Sequence, residues 1–145
     1  AGADLCRLNG LMIKDGNMYR FIITGETPAK KNSRIVLKGG RNIPSERYRK
    51  WHTAAMLEIN DQLLLLKKEK EAMPIESEIR IKMTFYHGDN RRRDSDNGSI
   101  SILDLLTDCK VIKDDKWQIV RLLEIRNFYE KNNPRCLIEI DGYDE

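Results

Sequence analysis

Residues 91–115 hold the densest chemistry in the chain. Arg91-Arg92-Arg93 run directly into Asp94-Ser95-Asp96-Asn97, an apolar stretch follows from Ile100 to Cys109, and Asp114-Asp115 stand just beyond it. Carboxylates are the hard oxygen donors that Mg²⁺ takes, together with water and substrate phosphate. Two of them at i and i+2 on an extended segment point the same way, so Asp94 and Asp96 can share one ion. A helix over the apolar stretch can fold the chain back and deliver Asp114 or Asp115 to the same place. Three adjacent arginines add charge of the sign a phosphate ester needs. The pattern points to metal-assisted chemistry on a phosphate.

Each acidic cluster also has a plainer reading. Asp and Asn cap helices, and negative charge suits a first turn. Asp96-Asn97-Gly98-Ser99 then reads as a turn and cap, and Asp114-Asp115 as a solvated loop. The two clusters together with the arginine run are what favour a site. A calcium-binding EF-hand loop starting at Asp94 needs Gly at its sixth position and Glu at its twelfth. Ser99 and Leu105 stand there, which excludes it.

The elements that must position these residues belong to one domain. At 145 residues, 40% hydrophobic and 34% charged, the chain is long enough for a core under a polar surface. It contains no apolar run near membrane-span length and no signal-peptide pattern. Cys6, Cys109 and Cys136 are odd in number and widely spaced, which makes neither a zinc pattern nor a disulfide framework. A reducing, cytoplasmic setting is expected. The net charge of +3 hides a concentration: between Pro28 and Lys50 stand eight Lys/Arg and one acid, Glu46. Such a segment is either a solvated face or a contact for an acidic polymer, and a second basic segment at Arg91–Arg93 favours the polymer.

Residues 1–17 show no sustained period and read as a leader or an appended extension, leaving 18–145 as the domain. Tyr19, Phe21 and Ile23 alternate with Arg20, Ile22 and Thr24 and predict a first strand. Arg34–Leu37 and Arg41–Ile43 predict a hairpin around Lys38-Gly39-Gly40, carrying Arg34, Lys38 and Arg41 outward. Ser45 predicts a helix start. Tyr48, Trp51, Ala55, Ile59, Leu63 and Leu66 then make one apolar face, and Pro74 bounds the segment. The two aromatic residues read as core, and His52 as a packed edge residue. Ile75, Ile79, Ile81, Met83 and Phe85 alternate cleanly in a strand. His87, in the loop after it, has no evident role. A second helix covers Ile100 to Cys109, a strand runs from Trp117 to Arg126, Asn132-Asn133-Pro134 turns, and Cys136, Ile138 and Ile140 alternate in a last strand. The order predicts an α+β single domain, a mixed β-sheet packed with two helices. Ile100, Ile102, Leu103, Leu105 and Leu106 offer more apolar surface than one sheet face covers, which predicts a homodimer through the second helix.

On these residues the chain resembles the RusA family of Holliday-junction resolvases. The match lies in Arg91-Arg92-Arg93-Asp94-x-Asp96-Asn97, then Asp104-Leu-Leu within the helix, then Asp114-Asp115, without a gap. Thr27-Pro28 through Asn32-Ser33 and Pro44-Ser45 through Tyr48 and Trp51 are also similar, so the likeness spans about residues 18–141. It implies a RusA-like fold, a homodimer, branched four-way DNA as partner, and paired nicks made with Mg²⁺, for which Mn²⁺ can stand in. Its metal-binding, catalytic carboxylates fall on Asp94, Asp96 and Asp115; spacing alone does not rank Asp115 above Asp114. Lys30, Lys31, Arg34, Lys38 and Arg41, with Arg91, Arg92 and Arg93, are the expected DNA contacts. One position departs: the family commonly has a lysine important for cleavage six residues after the first aspartate, and Ile100 stands there. Arg91–Arg93, Lys113 and Lys116 are candidates for the missing charge. A junction-binding protein without turnover is the alternative reading.

Overall fold

The computed structural model describes residues 13–15, 18–30, 34–36, 38–40 and 42–144. Among the described residues, seven strands and three helices follow in the order β1 (Ile13–Asp15), β2 (Met18–Thr24), β3 (Arg34–Val36), β4 (Asn42–Pro44), α1 (Glu46–Leu64), α2 (Lys67–Lys70), β5 (Ile79–His87), α3 (Ser99–Asp108), β6 (Val120–Tyr129) and β7 (Arg135–Gly142). Five strands form one mixed sheet, ordered β1-β2-β7-β5-β6, and β3 and β4 make a separate hairpin. The α+β arrangement expected from the sequence is the one observed. Of the stretch 1–17, Ile13–Asp15 forms β1, paired with Met18–Arg20.

Strand direction decides where the site can be. β7 is antiparallel to both β2 and β5, and β5 is parallel to β6. The C-terminal ends of β2, β5 and β6 therefore lie at one end of the sheet. A parallel pair cannot be closed by a tight turn and needs a crossover. The crossover between β5 and β6 contains the arginine run, α3 and both acidic clusters.

Period-two burial follows the expected residues: Phe21 and Ile23 on β2, Ile79, Ile81, Met83 and Phe85 on β5, and Cys136, Ile138 and Ile140 on β7 are buried. On α1, Ser45 caps the first turn by accepting the Tyr48 N–H at 3.2 Å, and Tyr48, Ala55, Ile59 and Leu63 face the core. His52 packs at its edge against Tyr48 and Trp51, 2.8 Å from Asp108. The polar member of that helix face is Gln62. It is fully buried, and its amide accepts from the Ile22 N–H at 2.9 Å and donates to the Ile22 carbonyl at 3.0 Å. Glu58 accepts the Thr24 N–H at 3.1 Å. Beyond the short pairing with β1, α1 side chains thus take the bonds that a neighbouring strand would make along the edge of β2. The β3–β4 hairpin forms as expected, with Gly39 and Gly40 at φ 97° and 85° and Lys38 exposed. Lys31, Arg41 and the Arg34 side chain lie outside the described residues.

Two expectations are corrected. Trp117 is not in a strand: it is 70% exposed in the turn before β6, and the strand instead runs on to Tyr129. Pairing with β5, not the apolar run itself, sets those limits. The second helix is also not a spare apolar surface. Ile102, Leu105 and Leu106 are completely buried within one protomer and Leu103 packs against the same core, so Ile100 alone of the five is exposed. One sheet face and α1 suffice to cover α3.

α3 sits where it does because Gly98 lets it. A Cβ at Gly98 would lie 2.8 Å from Phe85 Cε1 and 2.9 Å from Thr27 Cγ2, closer than real contacts come. Gly98→Ala is expected to force the loop after β2 or the Phe85 ring to move, lowering stability by about 1–3 kcal/mol. Urea denaturation of the variant beside the parent measures it.

Candidate active site

The loop after β2 runs along α3. Thr27 packs on Gly98, the Pro28 carbonyl accepts the Ser101 hydroxyl at 2.5 Å, and the Lys30 ammonium forms an ion pair with Asp104. Positions 98, 101 and 104 recur every three residues and so lie on one face of the helix. Ser101 is fully buried, and this bond satisfies its hydroxyl. The loop after β2 and the segment just before α3 wall a cavity of about 460 Å³. Arg47, Arg91, Arg92, Arg93 and Asp94 line it with Thr27 and Pro28. Arg47 comes from the first turn of α1; nothing in its local spacing marks it, because only the fold brings that turn to the arginine run.

The arginines are not equivalent. Arg91 and Arg92 are exposed. Arg93 is turned inward with 9% of its side chain accessible, its Nη2 2.9 Å from Asp89 Oδ1 and 3.4 Å from Glu26 Oε1. The Asp89 carboxyl lies below its ordinary range, chiefly because it accepts the Arg91 N–H, with Arg93 contributing. Arg93 therefore anchors the loop, and Arg91, Arg92 and Arg47 are the cations presented to the cavity.

His87, unassigned in the sequence, is the node behind this loop. Its Nδ1 lies 2.7 Å from Glu26 Oε2 and its Nε2 2.8 Å from Asn127 Oδ1. Glu26 also accepts the Gly88 N–H at 3.1 Å, and Asn127 donates to the Ser95 carbonyl at 2.8 Å. Side chains from the ends of β2, β5 and β6 thus hold the backbone between Asp94 and Asp96. The carboxylates of Asp94 and Asp96 themselves make no hydrogen bond or ion pair with any described residue, although Asp94 borders four arginines. Their backbone is fixed by the Asn97 N–H on the Asp94 carbonyl and by the Ser99 N–H and hydroxyl on that of Asp96.

Asp114 and Asp115 lie at the other end of α3, whose ten residues span about 15 Å at 1.5 Å each. Asp114 accepts the Asp115 N–H at 2.7 Å. The Asp115 carboxyl is pushed above the usual aspartate range, first by burial, then by hydrogen bonding to Asp114 and its charge, with the charge of Asp104 adding. The structure therefore brings Asp115 together with Asp114 and Asp104, and Lys30 with Asp104. It does not gather Asp94, Asp96 and Asp115 into one cluster: among the described residues no three His, Cys, Asp or Glu side chains are grouped to hold a metal. In donor type the acids still suit a hard divalent cation. All are carboxylates, two are unpaired among the described residues, and Asp115 is crowded by like charge that a cation would relieve.

Of the other candidate cations, Lys113 is held 2.7 Å from Glu76, and Lys116 is exposed. Cys109 and Cys136 are free and buried. No helix among the described residues is long and apolar enough to cross a membrane.

Comparison with known proteins agrees with the likeness read from the acidic motif. The family model for the endodeoxyribonuclease RusA matches residues 25–141. The chain belongs to the RusA endodeoxyribonuclease family, and the match takes in the loop after β2, the cavity and both acidic clusters. No curated protein matches the chain.

The latch behind the Asp94–Asp96 loop makes a prediction. Asn127→Ala removes the donor to the Ser95 carbonyl and one partner of His87. Hydrogen–deuterium exchange should speed up across residues 95–98 while the β5–β7 amides stay protected, with a loss of about 1 kcal/mol in global stability. Unchanged exchange at 95–98 would show that the loop does not depend on Asn127.

Proposed function

We propose that this chain is a Mg²⁺-dependent endonuclease of four-way DNA junctions, nicking paired strands as a homodimer in DNA recombination and repair. The observation that carries the reading is one cavity lined by Arg47, Arg91 and Arg92 together with Asp94, whose carboxylate has no partner among the described residues, in a chain of an endodeoxyribonuclease family. The arginines bind and orient the backbone phosphate next to the scissile bond, and Lys38, exposed on the hairpin, extends the contact to a neighbouring duplex. Asp94 and Asp96, with Asp115, are the proposed metal ligands. When bound, the ion supplies an activated water and draws charge from the scissile phosphate. Glu26, His87, Asn127 and Arg93 keep the Asp94–Asp96 backbone in place as the phosphate approaches, so that the carboxylates need not be ordered at the moment of reaction.

The test uses a labelled junction with Mg²⁺, with Mn²⁺ and with EDTA. The parent should make symmetric nicks in either metal and none in EDTA. Asp94→Asn and Asp96→Asn should each lower the nicking rate by more than about 100-fold, since even partners lying behind a metal ligand cost about 10–100-fold. Junction binding in EDTA should be kept or tightened, because a negative charge near phosphate is gone. Parental rates in both variants would refute the assignment. Exposed Ile100, where the family pattern has lysine, favours a second reading, a junction binder without turnover. Binding in EDTA with no nick in either metal would establish it.

A dimer matches the near two-fold symmetry of a junction. With α3 enclosed by its own core, the surface proposed for it is the free edge of β6, an outer strand where Leu122, Leu123, Phe128 and Tyr129 are exposed. β6 also carries Arg121, Glu124 and Arg126, and an outer strand offers a row of backbone groups to pair. Two copies of β6 pairing across a two-fold axis would cover that row. Leu123→Lys should give a folded monomer by light scattering at micromolar concentration, with nicks no longer paired. A parent that is itself monomeric under those conditions and still nicks in pairs would refute the dimer.

A further inference from the structure

A second cavity, of about 330 Å³, adjoins the first and shares Arg91, Arg93 and Asp94 with it. Phe128 and Tyr129, the last two residues of β6, line it and are 49% and 56% exposed. Neither belongs to the hydrophobic core. The Phe128 ring is nevertheless held in place from one side. Arg135 of β7, Tyr86 of β5 and Phe128 of β6 are register neighbours on three successive strands. The Arg135 guanidinium lies 3.9 Å from the centre of the Tyr86 ring, and Tyr86 and Phe128 stack at 5.6 Å with 22° between their planes. Glu130 in turn holds Arg135 at 2.6 Å. Among the described strands β6 is the outermost, so the row ends on the open face of Phe128.

An aromatic ring ordered before its ligand arrives offers contact area at little cost in entropy. Beside it, Asn90 lines the same cavity, is exposed, and bonds through its amide to no described residue. That amide is both donor and acceptor. A fixed ring face with a free amide nearby suits a flat heteroaromatic ring with polar edges, which is the chemistry of a nucleobase. Stacking on aromatic side chains is also how unpaired bases are generally held. The placement agrees: the cavities meet at Arg91 and Asp94, so a strand with its phosphate in the first brings an adjoining base to the second.

We propose that the second cavity takes one unstacked nucleobase of the bound strand, seated on the open face of Phe128 beside Tyr129. The proposal rests on the nuclease reading of the neighbouring cavity and deepens it. Drawing a base out of its stack is least costly where pairing is already disturbed. A branch point supplies such a base and a continuous duplex does not, so Phe128 favours branched DNA without reading its sequence. The β6 edge proposed for the dimer is compatible with this. Leu123 lies five residues, about 17 Å, before Phe128 along the strand. Pairing centred on Leu122 and Leu123 leaves the Phe128 ring uncovered.

The experiment measures affinity in EDTA for a four-way junction, intact or with a single abasic site moved one nucleotide at a time across the branch point. A continuous duplex is the control. Phe128→Leu should weaken binding to the intact junction by about 10-fold and leave duplex binding unchanged. At one abasic position the parent should fall to the level of Phe128→Leu, and the variant should lose nothing more, because base and ring act as one pair. Phe128→Trp should keep the parental affinity. Tyr129→Leu, which leaves the Arg135–Tyr86–Phe128 row intact, repeats the abasic series if Phe128→Leu does not fold. Effects that add at every abasic position, or equal weakening of junction and duplex, would overturn the proposal. So would a Phe128→Leu chain of smaller mass than the parent by light scattering, since the ring would then belong to the dimer interface. Because binding is read in EDTA, a parent that binds the junction and never nicks counts against the nuclease reading alone, and the abasic series still decides whether a base occupies the cavity.

Discussion

Along its whole length, from Ile79 to His87, β5 pairs with the parallel strand β6, and the layout of the protein follows from that pairing. A parallel neighbour obliges the chain to leave one end of the sheet and return at the other. The arginine run and both acidic clusters lie on that return path. Because β2 runs in the same direction as β5, its following loop, Glu26 to Lys30, emerges beside the start of the crossover. The cavity is a consequence: three strand ends pointing one way leave three loops to pack on each other, and Gly98 is the point of closest approach.

The same topology sorts the charges. A cation or carboxylate that the fold pairs serves placement, and one that it leaves unpaired is available to a substrate. Arg93, Asp89, Glu26 and His87 form a buried-side anchor under the Asp94–Asp96 loop. Arg92, Arg47 and the two loop aspartates face outward, as does Arg91, whose Nε lies 3.8 Å from Asp89. Burial of Arg93 is tolerable because two carboxylates meet it; an unpaired guanidinium there would be costly. At the far end of α3 the imbalance is reversed, with Asp104, Asp114 and Asp115 in one neighbourhood and Lys30 the cation placed against Asp104.

α3 shows why apolar composition is an ambiguous guide to assembly. A helix apolar over much of its circumference is either shared between subunits or enclosed by one. Here the sheet takes one side and α1 another, and Ile102, Leu105 and Leu106 disappear into a single core. Exposed apolar side chains lie on β6, where a strand at the sheet margin cannot hide both its faces, and at Leu57 and Leu64 of α1.

Local pattern was enough to define most of the elements and to pick out the arginine and acidic motifs around α3. Strand alternation in β2, β5 and β7, the α1 face, the Gly39-Gly40 turn and the acidic motif around α3 all have periods of two, 3.6 or a fixed spacing, and they carry the family's signature. Which charges are paired and which are free depends instead on how the chain folds back on itself. Lys30 and Asp104 are 74 residues apart, His87 and Glu26 61, and Asn127 and Ser95 32. No local period links such positions; they meet because strand order and direction bring their loops to one place. The end of β6 was likewise not legible in its own run of apolar residues. Trp117 has the residue type of a strand, yet the ladder of β5 begins only near Val120, and backbone pairing rather than side-chain type ends a strand.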